Sequence, residues 1–292
     1  MDPGDHDCDR DVDAREAFAL LGHEIRLEIL LALLEDWVAV YTEPKSYAEL
    51  MDIVGIRDSG KFNYHLTKLR GVYVRKVEDG YVPTASATAL YRAVLAHRPT
   101  DLLEFDPVPI DSACPACGET PLLEYDRGFV SLDCPSCSEW VGFTYPFPQN
   151  GFAGRSGDEV LEALHSRVRH DIALAREGQC PDCAGTTTVD LRLDAVDEDA
   201  HWVVLSCETC TLTAGMSPLS AVLSDDRVRS TLREAGVDTD GYDWELPEAT
   251  TRVESREPPL LALEVDTGET HVTIVVDGNL EVRSLETTNR SG

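Results

Sequence analysis

Lysine is nearly missing from this chain. Of 25 lysine and arginine residues only four are lysine (Lys45, Lys61, Lys68 and Lys76), against 54 aspartates and glutamates and a formal net charge of −29. Long apolar runs are missing too. The most apolar window, "LEILLALLEDWVAVY", is broken by Glu28, Glu35 and Asp36, far short of the roughly 18 uninterrupted apolar residues that read as a membrane span. The acidic start, "MDPGDHDCDRDVDAREAF", has no apolar stretch of the kind a secretory signal needs. The expectation is therefore a cytoplasmic protein with no membrane association. No nucleophile–base pairing, P-loop, GxGxxG or His-Glu constellation is present, so the chain reads as non-enzymatic.

A carboxylate-rich, lysine-poor surface keeps a protein hydrated in concentrated salt and points to a halophilic, archaeal host. An acidic protein of an ordinary cytoplasm fits the same composition. Either way net charge bears on solubility and not on fold. At 292 residues the chain has room for two or three compact units.

Against the acidic background stands one basic island. Between Arg57 and Lys76 lie six cations (Arg57, Lys61, Lys68, Arg70, Arg75 and Lys76) and one acid, Asp58. A charge run is usually a solvated helix face; a run opposing the bias of the whole chain favours contact with an anion. Around it the local signals are consistent. Asp13 can cap a helix "AREAFALL" that Gly22 ends, and "HEIRLEILLALLED" repeats apolar residues at helical spacing. Ser46 and Glu49 form a capping-box pattern before a short third helix. In "KFNYHLTKLRG", Phe62, His65, Leu66 and Leu69 share one arc, and Lys61, Asn63, Tyr64, Thr67 and Lys68 the other. "VYVRKVEDGYVPT" reads as two strands around Asp79-Gly80, and "ASATALYRAVLAH" as a closing amphipathic helix.

Helix, short helix, turn, helix, hairpin, helix is the order of a winged helix-turn-helix. "AFALLGHEIRLEILLAL" resembles the opening helices of ArsR-type regulators, and "SGKFNYHLTKLRG" resembles their recognition helix. No cysteine lies between Cys8 and Cys114, so the metal-sensing thiolates of some members of that family do not carry over. The resemblance implies a dimer on double-stranded DNA with the exposed arc in the major groove. Ser59, Lys61, Asn63, Tyr64, Thr67 and Lys68 are then the groove-facing candidates. Asn63 suits adenine, Lys61 or Lys68 guanine or phosphate, and Tyr64 either a phosphate or a dimer contact. Arg75 and Lys76 on the wing fall to backbone phosphates. His65, on the apolar arc, reads as a packing or capping residue.

Eight of the nine cysteines fall in four Cys-x-x-Cys pairs. Cys114, Cys117, Cys134 and Cys137 have 16 residues between pairs; Cys180, Cys183, Cys207 and Cys210 have 23. Two such turns on neighbouring hairpins supply the four soft ligands of a tetrahedral zinc site. The filling sequences read as strand pairs, the first around Arg127-Gly128 and the second around an acidic turn. A redox pair would want a thioredoxin-like βαβ unit, an iron–sulfur cluster a different spacing, and a catalytic zinc an open position. Two structural zinc ions are expected, and Cys8 is left as an unpaired thiol.

Between the two sets, "SGDEVLEALHSRVRHDIALAREG" is a long helix with an apolar stripe of Val160, Leu161, Leu164, Val168, Ile172 and Ala175 that should rest on the ribbons. His165 and His170, on the same helix, read as surface or packing residues. "SPLSAVLSDDRVRSTLREAG" gives one or two helices, "PEATTRVESREPP" a turn or linker, and the strand-like end a β-meander. The expected class is thus α+β, with an acidic tail (1–11), a winged helix-turn-helix (12–98), a first ribbon (108–148), a connecting helix (156–177), a second ribbon (178–217) and C-terminal helices with a β-meander (218–292). Nearly the full chain resembles haloarchaeal ArsR-like regulators with a cysteine-rich C-terminal half, which implies an effector or partner domain. A winged helix followed by zinc ribbons also resembles archaeal transcription factor E, which would make the partner the transcription machinery.

Overall fold

Asp13 accepts the Glu16 N–H at 2.8 Å and so starts the first helix, α1 (Ala14–Leu21), where a carboxylate cap is expected. The structure is a computed structural model that describes residues 12–38, 42–97, 103–137, 140, 142–193 and 201–289. The acidic tail with Cys8 and the acidic turn at 194–200 lie outside the described residues. The chain divides into two compact units. One comprises residues up to Glu104 with Pro148–Asn150, the other Phe105–Phe147 with Gly151–Gly292.

In the first unit α1 is followed by α2 (Glu24–Leu34), α3 (Tyr47–Ile53) and α4 (Ser59–Leu69). Helix α3 carries the capping box: Ser46 Oγ accepts from Glu49 N, and the Glu49 carboxylate accepts from Ser46 N at 2.7 Å. The antiparallel hairpin β1 (Val74–Val77) and β2 (Gly80–Pro83) leads into α5 (Ala85–His97). Ile29, Leu30 and Leu33 of α2, Leu50 of α3, Phe62, Leu66 and Leu69 of α4 and Val74 of β1 form one buried core.

The hairpin differs from the sequence reading by one residue. Val77 pairs with Gly80, so the two-residue turn is Glu78-Asp79. Gly80 serves a different purpose. Lys45 and Tyr81 exchange both backbone hydrogen bonds, and a Cβ on Gly80, at φ +156°, would sit 2.4 Å from the Lys45 carbonyl oxygen. Glycine is required there for close backbone approach.

The second unit holds three small antiparallel sheets. The first has the order β3 (Val108–Pro109), β4 (Leu122–Asp126), β5 (Phe129–Asp133), β6 (Phe143–Pro146). The β4–β5 turn is Arg127-Gly128, both at positive φ. The second sheet is β7 (Thr187–Arg192), β8 (Trp202–Cys207), β9 (Thr213–Met216). Each is larger than the strand pair expected from sequence. Between them α6 (Gly157–Arg176) starts where the Glu159 carboxylate accepts both the N–H and the hydroxyl of Ser156. Its stripe divides: Val160, Leu161 and Leu164 enter the core of the first sheet, and Ile172 and Ala175 that of the second.

The end of the chain folds as two helices, α7 (Pro218–Val222) and α8 (Asp226–Glu234), and a third sheet. That sheet runs β10 (Ala249–Arg256), β11 (Pro259–Asp266), β12 (Thr270–Asp277), β13 (Val282–Asn289) in order. Strand β10 corrects the reading of "PEATTRVESREPP" as a turn or linker. It is an edge strand with a bulge after Val253 and alternates half-buried and exposed residues. Two apolar side chains in eight were too few to announce it. Between α8 and β10, Trp244 stacks with Tyr242 (ring centroids 4.7 Å) and with Phe143 (5.7 Å), and its Nε1 donates to Ser112 Oγ. Among the described residues no helix is long and apolar enough to cross a membrane.

Candidate functional site

The two cysteine sets are built the same way. In the first, Cys114 N–H donates to the Glu119 carbonyl and Gly118 N–H to the Cys114 carbonyl, each at 2.8 Å. In the second, Cys180 N–H donates to the Gly185 carbonyl (2.8 Å) and Ala184 N–H to the Cys180 carbonyl (2.9 Å). The residue after the second cysteine takes a left-handed conformation in both, Gly118 at φ 79° and Ala184 at φ 59°. The opposite turn of the second set aims the N–H groups of Thr209 and Cys210 at Cys207 Sγ, 3.3 and 3.4 Å away.

These turns bring eight sulfurs into two groups of four, with the ligand atoms of each group within 4.8 Å of one another. Cys114–Cys137 and Cys117–Cys134 are 3.7 and 3.5 Å apart, and Cys180–Cys210 and Cys183–Cys207 are 3.6 and 3.5 Å apart. A tetrahedron with zinc–sulfur bonds of about 2.3 Å has edges of about 3.8 Å, so the spacing fits a metal ion and the thiols are unbridged. Cys114, Cys134 and Cys180 are buried, Cys117 and Cys183 exposed, and the other three intermediate.

The electrostatics also call for a cation. Burial opposes ionisation of Cys114, but N–H donors from Cys117 and Ala116 outweigh it and bring the thiol down to about 7. The N–H groups of Cys210 and Thr209 bring Cys207 down to about 6. Within the same groups Cys117 and Cys210 are pushed up to about 12. There the backbone donors at Glu119 and Leu212 are outweighed by burial and the neighbouring sulfurs. Four thiolates this close cannot all ionise unless a metal compensates them. An all-sulfur set of four leaves no open position for substrate or water.

The sequence-derived candidates of the first unit gather on α4 and β1. Asp58 caps α4 through Lys61 N, and Phe62, His65, Leu66 and Leu69 face inward. Ser59, Lys61, Asn63, Tyr64 and Thr67 are exposed, and Lys68 is half-buried. Gly60, Asn63, Tyr64, Thr67 and Lys68 line a shallow depression of about 500 Å³, in which Lys68 Nζ sits 5.7 Å from the centre of the Tyr64 ring. Arg75 and Lys76 are exposed on β1. One residue was missed. Lys45 is tied by its backbone to Tyr81 of β2, next to Lys76 in the register, which brings the fourth lysine to the same hairpin. Its isolation in a lysine-poor sequence was the available signal.

Taken together the second unit defines a protein with two four-cysteine clusters, each of which could hold a metal ion. The chain belongs to the family described as "Domain of unknown function (DUF7351)", which matches residues 111–282, more than half of its length. Residues 14–94 match a second family, described as "Domain of unknown function (DUF7347)". The interval between the two matches contains Glu104, where the first compact unit ends. No curated protein and no solved structure matches the chain.

Proposed function

We propose that this protein is a sequence-specific DNA-binding transcriptional regulator, acting as a homodimer, with a winged helix-turn-helix in its first unit. The observation that carries the reading is α4. One arc is buried through Phe62, Leu66 and Leu69, while Lys61, Asn63, Tyr64 and Thr67 stand out beside the exposed Arg75 and Lys76 of the hairpin. That is the layout of a helix that enters a major groove with a wing on the flanking backbone. Asn63 can pair bidentately with adenine, Lys61 or Lys68 can meet guanine or phosphate, and Arg75 and Lys76 neutralise phosphates. The cysteine clusters would each hold one zinc ion as a structural cross-link, through Cys114, Cys117, Cys134 and Cys137 and through Cys180, Cys183, Cys207 and Cys210. On this reading the second unit is a non-catalytic effector or partner module.

The test is selection of bound sequences from genomic DNA with the full chain in molar potassium chloride. A recurrent motif is expected, and Lys61→Glu with Asn63→Ala should abolish its enrichment. Binding with no preferred sequence, together with co-purification of polymerase subunits, would instead support a basal transcription factor.

A further inference from the structure

The rings of His23 and His65 lie against each other, with centroids 4.1 Å apart and planes inclined by 40°. They come from two elements. His23 is the N-cap of α2, where its Nδ1 accepts the Ile25 N–H at 3.2 Å. A ring nitrogen that accepts a hydrogen bond carries no proton, so this cap exists only in neutral imidazole. His65 belongs to the inward arc of α4 and is 6% exposed. Its Nδ1 is buried and has no hydrogen-bond partner among the described residues, and the same holds for Arg26 Nε.

The ionisable neighbours that act on His65 are all basic. The groups acting on His65 are His23 and Arg26 from the start of α2 and Lys61 from α4, while α1 offers a backbone carbonyl, at Ala19, that Arg26 already occupies. Burial first, then these neighbours, lowers the His65 pKa below the ordinary imidazole value. His65 also meets Tyr64 edge-on at 5.1 Å, and Lys68 lies over that same tyrosine. A chain of ring contacts thus runs from half-buried His23 through buried His65 to the exposed arc of α4.

We propose that the His23–His65 pair is a proton-sensitive seat for α4, so that taking up a proton unseats the helix and weakens DNA binding. This rests on the DNA-binding reading for its consequence but not for its existence. The sign is diagnostic. Acidification ordinarily adds positive charge to a protein and tightens its hold on phosphates; here it loosens it. Folded His65 is depressed relative to the unfolded chain. Its contribution is therefore complete above the unfolded value of about 6.5 and declines as pH falls through that value towards the folded one.

The experiment compares the full-length protein with the double variant His23→Ser, His65→Gln. Serine keeps the helix cap without a titrating group. Affinity for sheared genomic DNA and stability to urea are measured between about pH 7.5 and 5 at constant potassium chloride, with imidazole resonances followed by NMR. The expected result is that DNA affinity of the native protein falls on acidification, approaching about tenfold per pH unit for one linked proton. In the variant affinity should stay level or rise. Native binding that strengthens with acid, or urea stability whose pH dependence is the same in both proteins, overturns the proposal. Stability that is proton-linked only in the native protein, with no DNA binding at any pH, supports the seat and refutes the DNA reading.

Discussion

Arg176, at the end of α6, donates from Nη2 to the carbonyl of Leu280, 2.9 Å away and 104 positions later in the chain. Its Nη1 serves the Ala221 carbonyl at 2.9 Å and the Ser224 hydroxyl. One half-buried guanidinium therefore joins a helix, the end of α7 and the β12–β13 turn, and its partial burial lowers its pKa. Arg176→Met should destabilise the second unit by about 2–4 kcal/mol, because three acceptors lose their donor inside the fold. Arg176→Lys should recover only part of this, since an ammonium lacks the planar fork. Urea unfolding followed by near-ultraviolet circular dichroism measures both.

Metal analysis of the purified protein should give two zinc ions per chain, lost one at a time in Cys117→Ala and Cys183→Ala. Structural zinc supplies about 10–16 kcal/mol in small zinc-binding peptides. Chelation should therefore unfold the cysteine-bearing sheets, while the helical signal of residues 14–94, which have their own core, persists. Thiol titration checks the count: eight clustered cysteines should be protected before chelation and reactive after it. Iron in place of zinc would show as visible absorbance.

The matched left-handed positions give a pair of opposite effects. Gly118→Ala should cost about 1–2 kcal/mol, a purely conformational penalty because nothing lies within 4 Å of the added Cβ. Ala184→Gly should stabilise by about 0.5–1 kcal/mol, since it relieves the same penalty at φ 59° against the entropy of glycine. Thermal unfolding of the zinc-loaded variants reads both.

On the proposed DNA-binding function, Lys45→Gln should leave sequence preference unchanged and reduce the slope of log affinity against log salt by about 1, as for one lost phosphate contact. Asn63→Ala should do the reverse, relaxing the preference at one base with little change in slope. Fluorescence anisotropy over a salt series separates the two. The Lys45–Tyr81 pairing uses backbone atoms, so Lys45→Gln keeps it.

What the sequence disclosed was local. The span of α1, the Ser46–Glu49 box, the turn at Arg127-Gly128 and the two-arc division of α4 are each set by neighbours within a few residues, and the structure has them as expected. The cysteine sets were legible because ligand spacing is a local rule applied four times. What stayed hidden depends on distant pairing. Strand β10 is recruited by the apolar β11, β3 is a two-residue strand on β4, and Lys45 reaches the hairpin through Tyr81. The contact between His23 and His65 crosses 42 positions, and neither residue's local pattern announces it.

Helix α6 has a consequence of its own. Its first turns are bedded in one cysteine-bearing sheet and its last in the other, so its winding fixes the angular phase between the two cysteine clusters. A single residue inserted near Val168 would turn one cluster by about 100° about the helix axis and move it about 1.5 Å along it. No side-chain repacking absorbs such a rotation. The length of α6 is therefore a quantised setting, and the chain can tolerate changes of composition there far more readily than a change of count.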